Sequence, residues 1–143
     1  MPTPTPPDVS FSRWPWWRRW FGRRSERSAA QFLRKIGYRI VAANVEDATG
    51  EIDLIAIDGR TIVIVEVRST SSDDLLRTIE SVDLRKQRKL TQAAIRYLTR
   101  RRVLDQAFRF DIIAISWPAN ARVPVIRHIP NAFEAVGRHQ MFS

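Results

Sequence analysis

The stretch GEIDLIAIDGRTIVIVEVRST, Gly50–Thr70, constrains this chain more than any other. Two strongly apolar runs flank Asp58-Gly59, a dipeptide that favours a tight hairpin turn. Runs of this composition belong in a core. Yet Glu51, Asp53 and Glu66 lie inside them, and a buried carboxylate costs free energy unless something pairs with it. Any fold for this chain has to bury the hairpin and still satisfy its acids.

The flanking sequence supplies the layers. Ala29, Phe32, Leu33 and Ile36 recur at the spacing of one helical face, with Ser25 as the expected N-cap and Gly37 as the expected C-cap. Tyr38–Val45 reads as a strand, followed by the hairpin strands Glu51–Ile57 and Thr61–Ser69. A polar loop containing STSSDD leads to a long helix near Val82–Arg101, whose Leu90, Ala94, Tyr97 and Leu98 keep helical spacing. Phe108–Ser116 reads as a buried strand and Val123–Ile129 as a shorter one, placed at an edge by Pro124. Helix, three strands, helix and two strands imply an α/β layer built on a mixed sheet. Residues 25–143 then form one domain of ordinary size. Residues 1–12 are rich in Pro and Thr and read as a disordered tail. Residues 13–24 concentrate four of the five tryptophans beside arginines. That short segment is expected to pack loosely on the domain, with contact to a membrane surface or to bases as the alternatives.

Charge narrows the choice of partners. With 24 Lys and Arg against 15 Asp and Glu, the formal net charge is +9, which favours polyanions, nucleic acid first and an acidic membrane surface second. The second long helix carries Arg85, Lys86, Arg88 and Lys89, with no acid between Asp83 and Asp105. These four cations are the expected nucleic-acid contacts, with DNA preferred over RNA. No apolar run approaches the roughly 20 residues of a membrane span. The absence of cysteine and of a secretory pattern points to the cytoplasm.

Strand parity sets the chemistry of the hairpin. A two-residue turn pairs odd positions of the first strand with even positions of the second, bringing Asp53 beside or diagonal to Glu66. Two or three carboxylates converging on a sheet, with Arg68 two residues beyond Glu66, suit a hard cation such as Mg2+, or Mn2+ in its place. Water on such an ion attacks phosphodiesters. The same residues also fit an ordinary ion pair of Glu66 or Glu51 with Arg68. Asp111 reads as a strand-end partner of Arg109, or as one more acid at the same place.

The motifs SERSAAQFLRKIGYRIVAANV, GEIDLIAIDG, VIVEVRS, VDLRKQRKL, RFDIIAI and HIPNAF occur in this order. Together they resemble the bacterial YraN family, a group similar to restriction endonucleases and Holliday-junction resolvases. The resemblance runs from about Gly22 to Phe133 and implies a restriction-endonuclease-like fold, a mixed sheet flanked by helices. The site it implies is an aspartate followed by Glu-x-Lys on the next strand. By position Asp53 matches the aspartate and Glu66 the glutamate, the two implied metal ligands. Glu26 matches a first-helix glutamate that completes the site in related resolvases, although an acid in a first helical turn is favoured by the dipole anyway. Lys86 matches a recurrent lysine, and Glu51 belongs to the GEID signature without an assigned role. Arg68 stands where the pattern has lysine. Arginine can stabilise developing negative charge but cannot accept a proton. Three functions follow: a metal-dependent endonuclease on DNA or structured RNA, a catalytically inactive nucleic-acid-binding module of the same fold, and a membrane-surface adaptor using the Trp/Arg segment.

Overall fold

The apolar runs become the middle of a five-stranded mixed sheet. The computed structural model describes residues 24–48, 50–119 and 123–137. Its elements are α1 (Arg24–Lys35), β1 (Arg39–Asp47), β2 (Gly50–Asp58), β3 (Thr61–Thr70), α2 (Leu75–Glu80), α3 (Leu84–Arg100), β4 (Phe108–Ser116) and β5 (Val125–Phe133). The strands lie in sequence order across the sheet. Hairpins make β1–β2, β2–β3 and β4–β5 antiparallel. Only β3 and β4 run parallel, because α2 and α3 carry the chain back between them. The fold is α/β, a mixed sheet flanked by helices, and it is consistent with a nuclease-like architecture.

Two cores follow from strand alternation. Val63 and Val65 pack with Ala29, Ala30 and Leu33 of α1 on one face. Ile62 and Ile64 pack with Leu90, Ala94 and Leu98 of α3 on the other. The spacing read from the sequence holds for α3 and in part for α1: Ala29 and Leu33 are buried, but Phe32 is half-buried, Ile36 lies beyond the helix and is 46% exposed, and Ala30 is buried in its stead. The hairpin pairs Asp58 with Thr61 and Ile55 with Ile64, the odd-with-even parity of a two-residue loop. Gly59 takes φ 60 at the first loop position while Arg60 stays at negative φ, the sign pattern of a type II′ turn.

Several boundaries differ from expectation. Ser25 lies inside the first helix, already helical at Arg24, rather than capping it, and its hydroxyl accepts a hydrogen bond from the Trp117 indole N–H at 2.8 Å. Between the STSSDD loop and the long helix lies α2, six residues with no fully buried side chain. It is started by Asp74, whose Oδ1 accepts from the Arg77 amide at 3.1 Å. Asp83 caps α3 in the same way, accepting from the Lys86 amide at 2.9 Å, so the long helix starts at Leu84. The last strand is Val125–Phe133 rather than Val123–Ile129. Pro130 does not end it, because its register with β4 shifts there and Asn131 turns left-handed at φ 50. The expectations for residues 1–23 lie outside the described residues.

Asn131 gives its amide to Asp111 Oδ1 at 2.9 Å. Asp111 is fully buried and also receives Arg109 Nε at 3.0 Å and pairs with His128 Nε2 at 2.7 Å. Arg109 continues to the Tyr38 hydroxyl and to Asp58, tying β4 to the β2 end and to the start of β1. Burial alone would raise the Asp111 carboxyl, but the bonds from His128, Arg109 and Asn131 outweigh it and hold it below its ordinary 3.8. A carboxyl held low contributes stability that is present above its unfolded value and lost as pH falls. Asp111→Asn is expected to cost about 3 kcal/mol at neutral pH, since it strands buried partners. The gap to the parent should narrow as pH falls below 3.8, as read by urea denaturation at several pH values.

Candidate functional site

The β2–β3 ladder stops at Leu54 and Val65. One step further in register, Asp53 would face Glu66, but the strands part there. Alternation on β2 breaks at the same point. Leu54 and Ala56 join the α1-side core, whereas Ile52, also an even position, joins the α3-side core. Across the ladder Ala43 and Val45 make the same switch. Between them Asn44, which falls opposite Asp53 in the β1–β2 register, takes φ 48. With its neighbours pointing to opposite faces, Asp53 projects sideways along the sheet toward β3. Its Oδ2 accepts the Val67 amide hydrogen at 2.8 Å, supplying the acceptor that β2 no longer offers. Strand alternation would keep Glu51 and Asp53 on the face of Ile55, and this reversal takes them off it.

The split lets acids from both faces meet. Glu26, in the first turn of α1 and only 3% exposed, offers a carboxylate oxygen within 4.8 Å of ones from Glu51 and Asp53. The Asn44 amide donates to Glu26 Oε2 at 3.1 Å. The start of α1 is held by Trp117, through the Ser25 bond and through the Arg24 guanidinium 3.5 Å from its ring centroid. From the α3 side comes Glu66, also 3% exposed and hydrogen-bonded to Asp53. Arg68 Nη2 and Lys86 Nζ each lie 3.4 Å from Glu66 Oε2. Burial, then the bond to Asp53 and its charge, push the Glu66 carboxyl from 4.5 up to about 8 against the pull of Lys86 and Arg68. Arg68 Nε is buried without a hydrogen-bond partner among the described residues.

The four residues singled out in the hairpin and first helix, Asp53, Glu66, Arg68 and Glu26, thus come together. Lys86 leaves the basic group to join them, while Arg85, Arg88 and Lys89 stay exposed on α3. The expected ion pair of Glu66 with Arg68 is present within the cluster rather than in place of it. Glu51 was missing from the assignment; its place two residues before Asp53 in GEID was the available signal. Asp111 lies elsewhere, with Arg109 and His128.

A mixed sheet flanked by helices, with acids from three elements meeting where two central strands part, defines an α/β protein of nuclease-like architecture. Residues 25–115 match the model of a family described as Uncharacterised protein family UPF0102. A UPF0102 protein of Rhodopirellula baltica, RB9115, is 43% identical over 119 residues, covering 81% of this chain and 71% of that protein. A UPF0102 protein of Persephonella marina is 44% identical over 113 residues, covering 79% and 92%. One from Geobacter metallireducens is 40% identical over 113 residues, covering 79% and 91%. The chain belongs to UPF0102, the YraN family.

The raised Glu66 carboxyl has a measurable consequence. Above pH 4.5 the unfolded chain releases a proton that the folded chain keeps, so this group's cost to folding grows with pH until about 8. Glu66→Gln mimics the protonated form. Its melting temperature, measured with chelator present, should exceed the parent's by several degrees above pH 8, and the two should converge toward pH 4.5. Equal melting temperatures across that range would show that Glu66 titrates normally.

Proposed function

We propose that this protein is a divalent-cation-dependent nuclease acting on DNA or structured RNA. The supporting observation is the meeting of Glu26, Glu51, Asp53 and Glu66 at the β2–β3 split with two cations on Glu66. The donor set is all carboxylate oxygen, which suits Mg2+ or Mn2+ rather than softer ions. Two groups carry a cost that the proposed ligands would relieve. A cation offsets the burial, and after it the Asp53 charge, that raise Glu66, and a phosphate oxygen satisfies the buried Arg68 Nε. Asp53 and Glu66, with Glu26 and Glu51 beside them, would hold the ion. When bound, it withdraws charge from a phosphodiester and supplies an activated water.

The chain's own residues do the rest. Arg68 stands two residues along β3 from Glu66, suited to stabilise charge on a phosphate but not to exchange a proton. A lysine ammonium can exchange one, and Lys86 reaches the same Glu66 oxygen as Arg68 does. On this reading α3 supplies the amine that β3 lacks. Arg85, Arg88 and Lys89, exposed on the same helix, track the phosphate backbone on either side of the scissile bond.

Cleavage assays on linear, branched and single-stranded substrates with Mg2+ or Mn2+ test the proposal. Glu66→Ala should abolish cleavage. Lys86→Arg should lower the rate roughly a hundredfold or more, the usual worth of a proton-transferring group, while shifting the Mn2+ Kd little. Reversing Arg85, Arg88 and Lys89 to Glu should weaken nucleic-acid binding and lower the slope of log K against log salt by roughly two to three. Binding without cleavage under every metal condition would leave a binding module, and an unchanged salt slope would make the three cations a solvated face.

A further inference from the structure

The residue opposite Asp53 does two unusual things at once. Asn44 holds a left-handed backbone, φ 48, which a non-glycine residue adopts at some cost, Asn less than most. Its side-chain amide donates to Glu26 Oε2 at 3.1 Å. The first property turns the strand over, so that Ala43 faces one core and Val45 the other. The second reaches from the sheet to a helix, to a carboxylate that is 3% exposed and lies within 4.8 Å of Glu51 and Asp53. Strain of this kind persists where the surroundings require it.

From this geometry we infer that Asn44 is a positioning residue, which fixes the Glu26 carboxylate for cation binding through a neutral hydrogen bond. The inference rests on the cation site proposed above and deepens it. The choice of an amide has a chemical reason. Lysine or arginine at this position would neutralise one of the carboxylates and compete with a divalent ion for it. An amide N–H sets the orientation of Glu26 while leaving its charge available. Outer partners of metal-holding carboxylates act in this way, and their loss costs about 10- to 100-fold in affinity.

The test is a double-mutant cycle on the full chain, with Mn2+ alone as titrant. Asn44→Gly removes the amide and keeps the left-handed backbone, which glycine adopts freely. Calorimetric titration is expected to show Mn2+ affinity falling about tenfold or more, in a chain that still unfolds cooperatively without metal, at a lower temperature because buried Glu26 loses a donor. In a Glu26→Gln background the same substitution should change the affinity less than about threefold, because Asn44 acts through Glu26. Asn44→Asp serves as a second variant. Facing Glu26, it adds a carboxylate to the cluster, and Mn2+ should then raise its melting temperature by more than it raises the parent's. Parental affinity in Asn44→Gly, an equal loss in both backgrounds, or an unaltered Mn2+ response in Asn44→Asp would each overturn the positioning role while leaving the cation site intact. No Mn2+ binding by the parent chain would overturn the cation site, and the inference with it.

Discussion

The Val67 amide needs an acceptor once β2 leaves β3, and Asp53 provides it at 2.8 Å. Much of the site's geometry depends on that bond. An unbroken ladder would interpose backbone between Glu26, reached from the α1 face, and Glu66, reached from the α3 face. Parting the central strands removes that barrier, but it leaves an amide that would be costly to bury unpaired. A carboxylate from the departing strand closes the account and, in doing so, becomes the shared neighbour of Glu26, Glu51 and Glu66. Fold and site are coupled at one side chain, so Asp53 cannot be changed for one purpose without disturbing the other.

The hairpin chemistry was legible because it depended only on parity. Asp58-Gly59 marked the turn, a two-residue loop followed, and odd positions met even ones. The apolar face of α1 and the burial of Leu90, Ala94 and Leu98 were legible for the same reason, a period of about 3.6. The helix α2 was not, since none of its six residues is fully buried, only Ile79 leans on the core, and only Asp74 announces it. Nor was the reversal at Ile52 and Val45, because it follows from a single dihedral at Asn44 that no spacing reveals. Lys86 was read as one of four like cations. Only its position on α3 relative to Glu66 separates it from Arg85, Arg88 and Lys89.

Arg68, where the resemblance implies a lysine, is not the only cation on Glu66 once α3 is in place. Along the sequence Arg68 and Lys86 are 18 residues apart and belong to different elements. In space they approach the same oxygen of Glu66 at the same 3.4 Å. Arginine has the fork geometry suited to phosphate, and lysine the exchangeable proton. On the nuclease reading proposed above, a site holding both would separate charge stabilisation from proton transfer, which a single lysine on β3 would have to combine.

Two buried carboxylates in neighbouring strands show how structural and site acids differ physically. Asp111 pairs with His128 and accepts hydrogen bonds from Arg109 and the Asn131 amide, and its carboxyl is held low in spite of burial. Glu66 has Arg68 and Lys86 close by, yet burial and a second carboxylate, Asp53, leave it raised to about 8. The fold can satisfy a buried acid fully, as Asp111 demonstrates within the same sheet. It gives Asp53 the Val67 amide but sets Glu66 against that second carboxylate, with only Arg68 and Lys86 at 3.4 Å to offset burial. Groups whose ionisation is perturbed by burial and a like charge cluster at functional sites, because the interaction that would relieve them comes from a ligand. Asp111 stabilises the molecule at neutral pH, whereas Glu66 carries a cost that grows as pH rises, and a bound cation would offset it.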